Sequence, residues 1–145
     1  MFKHILLPVD GSSTSLMAVD KARGLAQAFC STVTVIYVID PYAFSGVGTD
    51  FAYGQAQYLG AATAEAEEAL GKARLSLEAA GITVSASTVE SHNIYRGILE
   101  TASEVGADLI VMGSHGRRGL EKLVLGSVAA QVLAHAHLPI LIVRD

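Results

Sequence analysis

What most constrains the fold of this chain is a set of short, continuous, mostly β-branched apolar runs separated by stretches of helical periodicity. His4 to Val9, Val33 to Ile39, Leu109 to Met112 and Ile140 to Val143 are such runs. Continuous rather than alternating hydrophobicity predicts strands covered on both faces, as in a parallel sheet. Thr83 to Val89 alternates instead, with Val84, Ala86 and Thr88 on one side, and suits an edge strand.

Between the runs lie the helices. After Ser13, taken as an N-cap, Leu16, Val19, Ala22, Ala26 and Phe29 recur at helical spacing. Ala61 to Ala80 repeats the pattern through Ala62, Ala66, Ala69, Ala73, Leu77 and Ala80, and Gly81 stops it. Ile94, Ile98, Ala102 and Val105 mark a third helix, capped by Asn93 or Ser91 and stopped by Gly106. Val128, Val132 and Ala136 mark a fourth, ending near Pro139.

The order βαβαβαβαβ predicts one α/β domain over residues 1–145, a doubly wound, Rossmann-like parallel sheet with right-handed crossovers and helices on both faces. Ligands of such sheets bind beyond the carboxyl ends of the strands, which here are marked by Asp10, Asp40, Glu90 and Gly113. Pro41 to Gln57 reads as one long irregular loop with aromatics Tyr42, Phe44, Phe51 and Tyr53, either a functional lid or a disordered excursion. Those aromatics would cover a ligand or pack on the domain.

Several function classes are disfavoured by composition. The net charge is −4, from 10 Lys+Arg against 14 Asp+Glu, with no run of like charge, which argues against nucleic acid or an anionic membrane as partner. Cys30 is the single cysteine, so neither an intrachain disulfide nor a CxxC motif is available, and it reads as a small apolar helix residue. No apolar stretch approaches the roughly 20 residues of a bilayer span, and the opening run is too short for a secretory core. A soluble, cytoplasmic protein is expected.

The chemistry concentrates at Gly113. It follows the run ending at Met112, with Gly116 and Gly119 at intervals of three and Arg117 and Arg118 in the same turn. Glycines at a strand end permit positive φ and close approach of a ligand to the backbone, where successive N–H groups can cradle an anion. Arginine forks suit phosphate oxygens. Nine residues beyond Gly116, Gly126-Ser127 opens the last helix, with Ser127 as its expected cap and the first-turn N–H groups facing outward. Leu120, Leu123 and Val124 would pack the insert down. Neither GxxxxGK[ST] nor GxGxxG is present, which disfavours a P-loop enzyme or a dinucleotide dehydrogenase. Asp10, before Gly11-Ser12-Ser13, would accept ribose hydroxyls, hold a divalent metal, or serve the turn and the helix N-terminus. His135 and His137 form an HxH pair better explained by a helix C-terminus than by a metal. No GxSxG elbow supports a hydrolase triad.

Across essentially the whole chain these residues resemble the universal stress protein family. The likeness rests on Lys3-His-Ile-Leu-Leu-Pro-Val-Asp10, Tyr37-Val-Ile-Asp40, Ala107-Asp-Leu-Ile-Val-Met-Gly-Ser-His-Gly116, Leu125-Gly-Ser-Val128 and Pro139-Ile-Leu-Ile-Val-Arg144. Gly-two-Gly-nine-Gly-Ser is the mark of that family's ATP-binding branch. The resemblance implies a five-stranded parallel sheet in order 3-2-1-4-5. It implies that Pro8, Val9 and Asp10 line the adenosine side, that the Val38 backbone meets adenine, and that Met112 and Gly113 floor the site. Gly116, Gly126, Ser127 and Val128 would hold phosphates, with His115 and Arg117 nearby. It further implies a homodimer through the last strand, with higher assembly and a regulatory protein partner left open. Where that branch often carries Thr or Ser after Gly-Ser-Val, this chain has Ala129, and where the family often has a Gly-x-Pro-like turn it reads Ser91-His-Asn-Ile94.

The function implied is a nucleotide-binding regulatory module of the stress response, holding ATP, ADP or AMP with Mg²⁺ or Mn²⁺ carried on the phosphates. The alternative is a weak ATPase or autophosphorylating enzyme using the same pocket with a divalent metal. The sequence supplies no clear general base or water-positioning residue beside the Gly-rich turn, which favours the first.

Overall fold

The computed structural model describes residues 1–41, 48–116 and 125–145, with side chains in those spans except at 48–53. Its elements are β1 (His4–Pro8), α1 (Ser13–Phe29), β2 (Thr32–Ile39), α2 (Gly48–Ala79), β3 (Val84–Glu90), α3 (Ile94–Val105), β4 (Leu109–Gly113), α4 (Ser127–His135) and β5 (Ile140–Val143). All five strands are parallel, in the order β3-β2-β1-β4-β5.

The continuous apolar runs follow from this layering. Along β1, Ile5 and Leu7 enter one core while Leu6 enters the other; along β4, Val111 parts from Ile110 and Met112 in the same way. α1 and α2 cover the first core with Val19, Ala22, Leu70 and Leu77. α3 and α4 cover the second with Ile98, Ala102, Ala129 and Val132. A strand buried on both faces has no polar side to show.

Local details depart from the expectations. Ser12, not Ser13, caps α1, its hydroxyl accepting the Ser15 N–H at 3.2 Å. Leu16 belongs to no core and is 56% exposed, because the buried stripe of α1 runs through Ala18, Val19, Ala22 and Ala26. Cys30 lies outside the helix as its C-cap, exposed, at φ 54° and ψ 42°. The loop expected over Pro41 to Gln57 is largely helix, since α2 begins at Gly48. Glycines at 48, 54 and 60 weaken a helix by up to about 1 kcal/mol each relative to alanine. The start of α2 is nonetheless tied to the end of β2: Gln55 donates to the Pro41 carbonyl at 3.1 Å and the Tyr58 hydroxyl to the Asp40 carbonyl at 2.9 Å. Tertiary anchors of this kind extend a helix whose own propensity is modest. Tyr42 and Phe44 lie outside the described residues, as does the insert from Arg117 to Val124.

Candidate functional site

β1 and β4 are neighbours at the centre of the sheet, yet the chain leaves β1 for α1 on one face and β4 for α4 on the other. Strand order reverses there, and the two departing loops open a crevice at the carboxyl edge. The crevice is a cleft of about 620 Å³. Pro8, Val9, Asp10, Val38, Met112, Gly113, His115, Gly116, Gly126, Ser127 and Val128 all line it. Arg117, with Arg118, lies outside the described residues.

Asp10 is held by its own loop. Its Oδ1 accepts the Ser12 N–H at 2.9 Å, and its backbone N–H donates to the Ser15 hydroxyl at 3.2 Å. Oδ2 is turned toward the other half of the site, where a Cβ placed on Gly116 would stand 2.6 Å from it. Asp10 therefore does serve the turn before α1, and still presents an oxygen to the cleft.

The turn after β4 is pinned on three sides. The Ser114 N–H donates to the Val143 carbonyl at 2.8 Å, the Gly126 N–H donates to the Ser114 carbonyl at 2.7 Å, and the buried Thr14 hydroxyl donates to the His115 carbonyl. Glycine was expected here partly for positive φ. Neither Gly113 nor Gly116 adopts it; the requirement is absence of a side chain, because a Cβ on Gly113 would lie 2.5 Å from Thr14 Oγ1 and 2.9 Å from the Thr14 backbone carbon.

α4 starts differently from the expectation as well. Gly126 is the N-cap and Ser127 the first helical residue, and among the described residues no side-chain hydrogen bond closes the cap. Donors of such a first turn, with no side-chain cap, are available to an anion in the cleft that Gly126, Ser127 and Val128 line. Ala129, 2% exposed, sits at the inner end and joins the second core. His115 is 13% exposed, with its Nε2 3.6 Å from the Asp145 carboxylate.

Several lining residues were not singled out from the sequence. Tyr58, Ala62 and Glu65 bring a wall of α2 to the cleft, and Ile94 and Ile98 bring one of α3. The spacing of 58, 62 and 65 is one face of a helix, and Ala62 and Glu65 lie within the expected helix from Ala61 to Ala80, but which face of it lines the cleft is decided by the packing of α2 and not by its period. Ser15, which also lines the cleft, and Thr14, buried against Gly113 and the His115 carbonyl, gave no such signal, since these contacts appear only in three dimensions. At the far end of the last helix, His135 Nδ1 lies 2.9 Å from the Gln131 carbonyl, a local contact at the helix C-terminus.

Comparison with known proteins agrees with this fold. The sequence pattern described as the universal stress protein family matches residues 1–144. A universal stress protein of Methanocaldococcus jannaschii is 37% identical over 144 residues, covering 99% of this chain and 83% of its own length. Among solved structures, the universal stress protein UspA from Lactobacillus plantarum superposes with a TM-score of 0.87 at 24% identity, covering 98% of this chain and 97% of that one. A universal stress protein in complex with cAMP superposes with a TM-score of 0.69 at 27% identity, covering 99% and 97%.

Proposed function

The chain belongs to the universal stress protein family, and from that premise we propose that it binds an adenine nucleotide in the cleft and acts as a regulatory module of the stress response. The observation that carries the reading is the meeting, around one cavity, of the Asp10 carboxylate, the side-chain-free backbone at 113 and 116, and the open first turn of α4. A carboxylate suits ribose hydroxyls, and unpaired helix donors suit phosphate. The cleft's volume falls within the roughly 300–1,000 Å³ of small-molecule sites.

In this reading Pro8, Val9 and Val38 flank the adenosine, Asp10 takes the ribose, and Met112 and Gly113 form the floor. Gly116, Gly126, Ser127 and Val128 hold phosphates by backbone donors, with His115 beside them and Arg117 following in the chain. Mg²⁺ or Mn²⁺ would be carried on the phosphates, facing the cleft carboxylates Asp10, Asp40 and Glu65. Ala129 offers no hydroxyl at the inner end, so ADP and AMP compete with ATP on closer terms than a Thr or Ser there would allow. A relative solved with cAMP supports the ligand class. The protein works in the cytoplasm as a homodimer joined along β5, whose outer edge is unpaired among the described residues, and a regulatory protein partner reads the occupancy of the cleft.

Gentle purification followed by denaturation and mass analysis of the released small molecules tests this directly. An adenine nucleotide should be released, and calorimetry should show ATP, ADP or AMP binding with Mg²⁺ present. The reading is lost if nothing co-purifies and none of the three binds. Slow conversion of bound ATP to ADP would shift the balance toward an ATPase.

A further inference from the structure

The turn at 113–116 is tied to the outer strand of the sheet by a contact that nucleotide binding, as read above, does not use. β4 and β5 run in register from Ile110 opposite Ile140 to Gly113 opposite Val143, and the Ser114 N–H continues the pairing to the Val143 carbonyl. The same offset sets His115 beside Asp145. There the side chains meet, with Nε2 3.6 Å from Oδ1 and 13% and 26% of the two side chains exposed.

Both ring nitrogens of His115 are buried and have no hydrogen-bond partner among the described residues. An imidazole nitrogen withdrawn from water without a partner is costly, and a carboxylate 3.6 Å away offsets part of that cost by orienting the ring. The backbone beneath the ring has little freedom. The Thr14 hydroxyl holds the His115 carbonyl, and a Cβ on Gly126 would come within 3.0 Å of His115 Cα.

We propose that Asp145 is a positioning residue: through the His115 ring its carboxylate sets the turn 113–116, so that a residue just past β5, outside the cleft lining, controls phosphate affinity within it. The proposal rests on the nucleotide reading for its ligand, and on the His115–Asp145 geometry for its mechanism. The charged groups that share the cleft with His115 among the described residues are Asp10, Asp40 and Glu65. None of them comes from β5, so the charged side-chain link to the outer strand, beside the backbone bond from Ser114 to Val143, runs through Asp145.

The test combines ligand-free spectroscopy with a double-mutant cycle. In ¹⁵N-labelled protein, the His115 ring signals, assigned with His115→Gln, should shift in Asp145→Asn while those of the other histidines stay in place. ATP affinity by calorimetry should fall about fivefold in Asp145→Asn, the scale of a partly exposed ion pair, and the loss should vanish in a His115→Gln background. Ring signals that ignore Asp145→Asn, or losses that simply add in the double variant, overturn the proposal. If wild-type protein binds no nucleotide, the reading under Proposed function fails, and the ligand-free ring signals alone uphold or overturn the pairing.

Discussion

Asp10 and Gly116 occupy one space between them: a Cβ on Gly116 would stand 2.6 Å from Asp10 Oδ2. The residues are far apart in sequence and belong to the loops after β1 and β4, the two strands between which the sheet reverses. Their contact joins the carboxylate half of the cleft to its backbone-donor half. In Gly116→Ala the added methyl must displace the Asp10 carboxylate, the movable end of a side chain, so the fold should survive. Nucleotide affinity should fall by about tenfold or more, because both halves of the site lose their setting. Calorimetry checks the binding and circular dichroism the fold; unchanged affinity would mean that Gly116 is a turn residue only.

Thr14 should matter to stability. It is fully buried, and its hydroxyl satisfies the His115 carbonyl. Thr14→Val keeps the shape and leaves that carbonyl unpaired, at a cost of about 1–3 kcal/mol. Chemical denaturation of the two proteins gives the difference directly. A loss below a few tenths of a kcal/mol would mean that the bond contributes nothing net.

Cys30 predicts a gain. It holds a left-handed conformation that burdens a residue with a Cβ, while its N–H donates to the Ala26 carbonyl to close α1. Cys30→Gly should raise stability by about 0.5–1 kcal/mol, the relief at the cap outweighing the extra freedom of glycine in the unfolded chain. The urea midpoint reports it, and a lower midpoint would contradict the strain argument.

Asp108 predicts a pH dependence. Burial alone would push its carboxyl up, but the N–H groups of Lys3 and His4, at 2.9 and 3.0 Å, together with the nearby His4 ring outweigh it and hold the group below its ordinary value. A carboxyl depressed in the folded state adds stability above its unfolded pKa and loses it as pH falls through the folded value. Asp108→Asn should therefore melt below wild type at pH 7, and the gap should close at pH below about 4. Calorimetric melts across that range check the sign. A gap that widens toward acid would refute it.

Much of the fold was legible in the chain. The strand runs lie within a residue or so of their positions in the structure, the alternating Thr83 to Val89 segment is the edge strand β3, and the order β3-β2-β1-β4-β5 is the one implied by the family likeness. The glycines at 113, 116 and 126 and the carboxylate at Asp10 were also visible, and the structure gathers them in one cleft. Less legible was the start of α2. Its glycines imitate a loop, and the anchors from Gln55 and Tyr58 to the end of β2 cannot be inferred from local periodicity.

By itself the sequence determined the strands, the helices apart from the start of α2, their layering and the positions where a backbone must go bare, because hydrophobic period and the missing Cβ of glycine are properties of the residues. Tertiary structure decided what those positions are bare for. Gly113 makes room for Thr14 and Gly116 for Asp10. His115 meets Asp145 only because β4 and β5 lie side by side. Such contacts depend on which loops the strand order brings together, and no local pattern in the chain carries that information.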